Sequence, residues 1–242
     1  MCINLQPGNF KLESTSVWSF PERGNWATHS GKYRGNWSPY VPRNLLLRYS
    51  NPGDWILDQF LGGGTTLIEA KLLNRNAVGV DINPQSVFIS EANLKFQCRA
   101  SSKIFVRNGD AVNLNFIKDS HIDFICTHPP YANIIRYSKE INGDLSLLEV
   151  GEFLKKMLKV AEESYRVLKK GKMCAVMVGD IRQYGKIVPL GFQIMECFLR
   201  AGFINKEIIM KEQHNCGMTD YWEKRNNGFL LLAHEYIFVF QK

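Results

Sequence analysis

No apolar run in this sequence approaches the roughly 18 residues a membrane-spanning helix needs, and no signal-peptide pattern opens it. Cysteine is sparse. Cys2, Cys98, Cys126, Cys174, Cys197 and Cys216 stand singly, with no C-x-x-C pair, which favours free thiols in a reducing compartment over a disulfide framework or a zinc site. Internal repeats and low-complexity tracts are absent. What is present is 242 residues, 45% of them hydrophobic and 12% aromatic, enough for one large core and too much for disorder, collagen or a disulfide mini-protein. Thirty basic against 23 acidic residues leave a net charge of +7, which suggests a polyanionic partner. The expectation is a soluble, cytoplasmic, basic globular protein with no metal site and no membrane association.

Residues 1–53 read as irregular, because Pro21, Pro39, Pro42, Pro52 and several glycines interrupt any long periodicity. From Asp54 onward, short apolar runs alternate with amphipathic stretches. Strands are expected at 55–57, 77–80, 104–106, 121–126, 173–178, 203–210 and 234–240. Helices are expected at 65–73, at 84–96 with a proline in the first turn, at 147–168, and at 190–201, closed by Gly202. Lys169-Lys170-Gly171-Lys172 reads as the turn that ends the third of these helices. The alternation predicts an α/β fold, a mostly parallel, doubly wound sheet with helices on both faces. The last two strands have no helix between them and should pair as an antiparallel edge.

Asp58-Gln59-Phe60-Leu61-Gly62-Gly63-Gly64-Thr65-Thr66 follows the first strand and opens the first helix. Ligands of open α/β sheets bind at the carboxyl ends of strands, near the switch in strand order. Glycines there let a ligand approach the backbone, and helix N-terminal amides can meet a polar or anionic group. The spacing is neither a phosphate loop, which needs G-K-[ST], nor a full G-x-G-x-x-G. Asp81 ends the second strand, a position suited to ribose hydroxyls. Asp110 follows the third, where a carboxylate can accept a hydrogen bond from an adenine amino group. Each acid alone could be a helix cap. Three at three consecutive strand ends suit a nucleoside cofactor.

After the fourth strand comes Cys126-Thr127-His128-Pro129-Pro130-Tyr131. A double proline is rigid and has no backbone donors, so its carbonyls remain free to accept, and the aromatic beside it offers a stacking face. Here the sequence resembles the S-adenosylmethionine-dependent DNA amino-methyltransferases, whose motifs read D-x-F-x-G-x-G and [D/N/S]-P-P-[Y/F/W]. The resemblance runs roughly from Gly31 to the end. It is nearest in pattern to the cytosine-N4 type, which has a T-S-P-P-Y motif and a Tyr/Pro segment ahead of the glycine turn, as Lys32 to Tyr40 provide here.

That resemblance implies a Rossmann-like methyltransferase fold with seven strands in the order 3-2-1-4-5-7-6. It implies S-adenosylmethionine as the cofactor. Asp58, Phe60, Gly62 and Gly64 would line its methionine and adenosine, Asp81 would hold the ribose and Asp110 the adenine. Tyr33, Thr65 and Ile82 complete the expected binding set. His128, Pro129, Pro130 and Tyr131 would be catalytic. The Pro129 carbonyl and the side chain at 128 would accept the two N–H bonds of an exocyclic amino group and free its lone pair for in-line attack. Tyr131 would stack on a base flipped out of the helix. No Pro-Cys nucleophile occurs in a comparable loop, which argues against cytosine-C5 methylation. Two positions depart from the pattern: Gln59 where Pro is usual, and His128 where Asp, Asn or Ser is usual. Neutral imidazole keeps one acceptor nitrogen and imidazolium none, so activity is expected to fall below about pH 6.5, the reference histidine value.

Residues 1–44 carry five basic against two acidic residues, interleaved with Trp18, Trp26, Tyr33, Trp37 and Tyr40. The pattern suits phosphate contact and base stacking, although 33–40 read better as a cover over the cofactor pocket. The loop 132–146, with Arg136, Tyr137 and Lys139, is the place expected for target-strand contacts. Residues 211–228, with Lys211, Gln213, His214, Asn215, Tyr221, Trp222, Lys224 and Arg225, are the expected sequence readers. The lysines of 155–172 read as a solvated helix face. One structural domain results, with 1–53 covering the cofactor site and 54–242 forming the catalytic unit. Recognition is then loop-borne or supplied by a recognition or restriction partner subunit, and a homodimer is left open. The function expected is site-specific DNA methylation at an exocyclic amino group, cytosine N4 ahead of adenine N6. Kept beside it are an RNA guanine N2 or a protein glutamine as acceptor, and a non-catalytic cofactor-binding subunit of a restriction-modification complex.

Overall fold

A computed structural model describes residues 4–215, 223–225 and 228–242; Cys2, Cys216, Tyr221 and Trp222 lie outside the described residues. The elements in chain order are β1 (Val17–Trp18), α1 (Tyr40–Tyr49), β2 (Trp55–Asp58), α2 (Thr65–Leu72), β3 (Asn76–Asp81), α3 (Pro84–Asn93), β4 (Ile104–Asn108) and β5 (Ile122–Thr127). They continue with α4 (Val150–Val167), β6 (Leu168–Val178), β7 (Ile181–Gln183), β8 (Lys186–Val188), α5 (Leu190–Arg200), β9 (Ile204–Glu212) and β10 (His234–Gln241). Among the described residues, eight strands form one sheet in the order β1-β9-β10-β6-β5-β2-β3-β4. Seven of them follow the expected order. The eighth, β1, pairs parallel with β9 through Val17↔Met210, so the sheet is larger than expected. The last two strands pair antiparallel as expected, with β10 between β6 and β9 and running against both, and the added β1 lies outside β9.

Alternation in β10 shows how the sheet is coated. Phe238 and Phe240 face a core built with Phe153, Met157 and Val160 of α4 and Ile194 and Phe198 of α5. Ile237 and Val239 face the opposite core, with Leu45 and Leu46 of α1 and Leu67 of α2. Each fully buried side chain of this size contributes roughly 1.5–3 kcal/mol.

The structure differs from the sequence expectations where non-local contacts prevail. Residues 1–53 are not wholly irregular. Pro39 is the N-cap of α1 and Pro42 lies in its first turn, where a missing N–H costs nothing, so two apparent breakers open a helix. Helix α3 stops at Asn93, before the expected 96, and Lys71 Nζ donates to the Leu94 and Phe96 carbonyls at 2.7 Å each. Helix α4 begins at Val150, since Leu148 and Glu149 are extended. Lys169–Lys172 do not separate helix from strand but bulge within β6, whose pairing with β5 jumps from Ile122↔Leu168 to Phe124↔Met173. Lys169 of this group pairs with Asp123 at 2.8 Å and is not merely solvated.

The N-terminal segment is anchored by one buried carboxylate. Glu69 of α2 accepts Trp26 Nε1 at 2.7 Å, lies 2.7 Å from His29 Nε2, and takes Arg43 Nη1 at 2.9 Å. Trp18 and Trp26 are 1% and 3% exposed, so they are core residues and unavailable for base stacking. Cys98, Cys126, Cys174 and Cys197 are free thiols. No described helix is long and apolar enough to cross a membrane.

Candidate active site

Parallel register brings the chemistry to one edge of the sheet. Asp58 sits opposite Gly79 and Asp81 opposite Asn108, while β2 pairs with β3 on one side and β5 on the other. The strand order reverses there, where open α/β sheets place their ligands. A cavity of about 890 Å³ opens at that edge, near the top of the roughly 300–1,000 Å³ range of small-molecule sites.

Asp58 is 2% exposed. Its Oδ1 accepts Thr127 Oγ1 at 2.8 Å and the Phe60 amide at 3.2 Å. Burial raises its carboxyl to about 6, against the opposing pull of those hydrogen bonds and with help from the neighbouring Asp81 charge. Asp81 ties two strand ends together, accepting the Gly62 amide at 2.8 Å and the Asn83 amide at 2.9 Å; burial raises it too. Gly62 has φ +50, and a Cβ there would lie 3.1 Å from the Tyr33 ring, so the glycine turn is roofed by the N-terminal segment. Tyr33 stacks parallel to Tyr137 at 6.1 Å and its hydroxyl meets Ser86 Oγ at 2.9 Å. Asp58, Asp81, Asp110, Asp144, Asp180 and Glu235 line the cavity against Arg34 and Arg182. A cationic ligand would relieve the mutual repulsion of these acids.

The proline motif lines the same cavity. His128 stacks under Trp37 at 5.3 Å and meets Tyr131 edge-on at 5.5 Å. Its Nε2 lies 2.8 Å from the Tyr131 hydroxyl, which donates to Glu235 Oε1 at 2.6 Å. Lys211 Nζ donates to Glu235 Oε2 at 2.9 Å. Burial lowers His128 to about 4, against the upward pull of the Glu235 charge and with that of Lys211. The threshold expected at about 6.5 from a free imidazole therefore moves down to about 4.

The structure brings Tyr33, Asp58, Phe60, Gly62, Asp81, Ile82 and Asp110 into one cavity with His128, Pro129, Pro130 and Tyr131. Gly64 and Thr65 do not line it. Gly64 has φ +84 and packs against Ser90, and Thr65 Oγ1 donates to Asn36 at 2.6 Å; both shape the turn from behind. Arg136, Lys139, Lys224 and Arg225 are exposed, outside the cavity. Lys211 is different: its side chain is 12% exposed and paired with Glu235, so it faces the site and not an open surface. Sequence reasoning missed Asp144 and Glu235 as members of the site; Trp37, expected in the cover over the cofactor pocket, lines it and stacks on His128. Glu235 had a signal, a lone acid inside the otherwise apolar β10. Among the described residues no cluster of three metal-ligating side chains occurs.

The DNA methylase family model matches residues 7–92 and 122–242, which include the glycine turn, Asp81 and the proline motif. The chain belongs to the DNA methylase family. S-adenosylmethionine is the cofactor that this amino-methyltransferase family and the fold imply. The Type II methyltransferase M.MjaII of Methanocaldococcus jannaschii is 36% identical over 75 residues, 31% of this chain and 14% of that protein. The Type II methyltransferase M1.MboII of Moraxella bovis is 46% identical over 56 residues, 22% of this chain and 21% of its own. A tRNA (guanine(10)-N2)-dimethyltransferase of Methanothermobacter thermautotrophicus is 38% identical over 101 residues, 41% of this chain and 29% of that one. The matched stretches span under a third of the length of each of these relatives. TrmN from Thermus thermophilus has a similar structure with a TM-score of 0.57 at 18% identity, covering 86% of this chain and 50% of that one. A SAM-dependent methyltransferase from Methanosarcina mazei gives 0.57 at 16% identity, covering 82% and 96%. At such identities the likeness is one of fold.

Proposed function

We propose that the chain methylates an exocyclic amino group of a base in DNA, with cytosine N4 favoured over adenine N6 and S-adenosylmethionine as the donor. One observation carries this reading: strand-end carboxylates and His128-Pro129-Pro130-Tyr131 line a single continuous cavity. When bound, the cofactor supplies an electrophilic methyl group on a positively charged sulfonium. The acidic lining suits that cation and the ammonium of its methionine part. On the acceptor side, the Pro129 carbonyl and His128 take the two N–H bonds of the target amine, which localises the nitrogen lone pair for in-line attack. Burial by Trp37, Tyr131 and Tyr137 keeps bulk water from competing.

The decisive experiment is mass spectrometry of nucleosides from DNA and RNA of cells with and without this chain. N4-methylcytosine in DNA supports the reading, and N6-methyladenine changes only the base. Methylated guanine confined to RNA would replace the reading with the one that the tRNA methyltransferase relative favours. No new methylation in either, with the cofactor bound in calorimetry, would leave a non-catalytic subunit. Replacing Asp81 with Ala should weaken cofactor binding, whereas Tyr131→Ala should mainly slow methylation.

Two further outcomes follow from the electrostatics. Burial raises the Asp58 carboxyl to about 6, and a bound cation favours its ionised form. Cofactor affinity should therefore fall as pH drops below about 6, by up to about tenfold per unit, while kcat at saturating cofactor holds until His128 titrates near 4. Calorimetry from pH 5 to 8 checks the first; equal affinity at pH 5 and 7.5 would remove Asp58 from the cofactor site. For the nucleic acid, Arg136 and Lys139 are the exposed cations of the loop after the proline motif. Replacing both with Ala should lower the slope of log affinity against log salt by about 2; an unchanged slope would remove them from the interface.

A further inference from the structure

The histidine of the proline motif raises a question of proton placement, because an amine acceptor must carry a lone pair on the nitrogen facing the base. We propose that Glu235, acting through Tyr131, fixes the His128 proton on Nε2 and so presents a bare Nδ1 to the target amino group. The role of that amino group rests on the function proposed above; the proton placement does not.

Counting protons gives the placement. Glu235 of β10 sits directly across from Lys211 of β9 in the antiparallel register, and their 2.9 Å ion pair is nearly sealed from water. Burial would raise the Glu235 carboxyl, but the Lys211 charge and the hydrogen bonds from Lys211 and Tyr131 hold it below the ordinary value. Glu235 is thus an ionised carboxylate, which can only accept. Tyr131 has one hydroxyl proton and lies 2.6 Å from Glu235 Oε1; without that proton between them, two oxygens would face each other lone pair to lone pair. The proton therefore goes to Glu235. The Tyr131 oxygen is then left to accept, and its 2.8 Å contact with His128 Nε2 requires an N–H there. With the ring neutral, Nδ1 carries the lone pair. No described residue hydrogen-bonds to Nδ1, and the ring lines the cavity.

Packing keeps the relay in place. Trp37 covers one face of the imidazole, and the Tyr131 ring lies so close to Gly179 that a Cβ there would come within 3.1 Å of it. A bare nitrogen accepts from an amine and repels a ring carbonyl, so the relay also selects cytosine or adenine over thymine or uracil. Glu235 and Lys211 are positioning residues: they set the tautomer of a group that touches the base.

Nitrogen-15 NMR of the histidine-labelled protein reads the tautomer directly, with His128→Gln assigning its signals among the five histidines. The wild type should show Nε2 protonated and Nδ1 bare near neutral pH. In Glu235→Gln, Lys211 keeps the amide oxygen and the amide NH2 turns to Tyr131. The relay should then reverse, moving the His128 proton to Nδ1 and lowering kcat by about 100-fold with little change in cofactor Kd. Tyr131→Phe, which leaves the Glu235–Lys211 pair intact, should give a mixture of tautomers in a protein that still folds. A wild-type proton on Nδ1 overturns the proposal, as does Glu235→Gln with an unaltered tautomer. A wild type that methylates no nucleic acid would instead sink the function reading, since the tautomer is measured without turnover.

Discussion

Replacing His128 with Phe should slow methyl transfer by about 10²–10³-fold, the typical cost of deleting one preorganised polar contact to a reacting group, while cofactor affinity stays within about twofold. Phe keeps the ring that packs under Trp37 and leaves the Tyr131–Glu235 hydrogen bond in place, so the change removes the acceptor and little else. Asn at the same position restores an amide oxygen and should recover much of the rate. Single-turnover kinetics with saturating cofactor, beside calorimetry, measures both. Equal rates for His128→Phe and wild type would remove residue 128 from the chemistry. A parallel loss of cofactor binding would show that the ring acts as packing.

The second large effect concerns stability. Glu69 is fully buried, and Arg43 is only 7% exposed beneath it, with its guanidinium over Phe10 and Trp26 and a further bond to Gln6. Glu69→Ala strands the Arg43 charge and unpairs Trp26 and His29, which should cost about 3–5 kcal/mol. For a domain of this size that is a drop in Tm of roughly 6–20 °C. The double variant Glu69→Leu with Arg43→Met should recover a good part of it, because well-packed apolar replacements of buried ion pairs are often neutral. Thermal unfolding of the three proteins decides. If the double variant melts as low as Glu69→Ala, stranded charge is not the cause. The loss should reach the site as well, since Glu69 holds the segment that carries Tyr33 over the glycine turn and Trp37 over His128.

Much of this organisation is legible in the chain. Asp58, Asp81 and His128 stand at strand ends because an apolar run followed by a turn and an amphipathic helix has one outcome in a doubly wound sheet. The seven-strand order came with the family resemblance. Other elements were misread for identifiable reasons. Pro39 and Pro42 look like breakers unless the helix start is known, since a proline is tolerated only in the first turn. Trp18 and Trp26 look like stacking platforms until the sheet edge and Glu69 claim them. Lys211 looks like a free cation until the β9–β10 register sets it against Glu235.

By itself, the sequence determined which side chains arrive at the carboxyl edge of the sheet, because strand, turn and helix signals act over a few residues. Only the tertiary structure decided what those side chains are. The Tyr131–Glu235 hydrogen bond joins positions 104 residues apart, and Trp37 reaches His128 from the N-terminal segment. Burial at that meeting point lowers His128 to about 4 and raises Asp58 to about 6. Protonation depends on desolvation and on neighbouring charges, and neither exists until distant strands have paired.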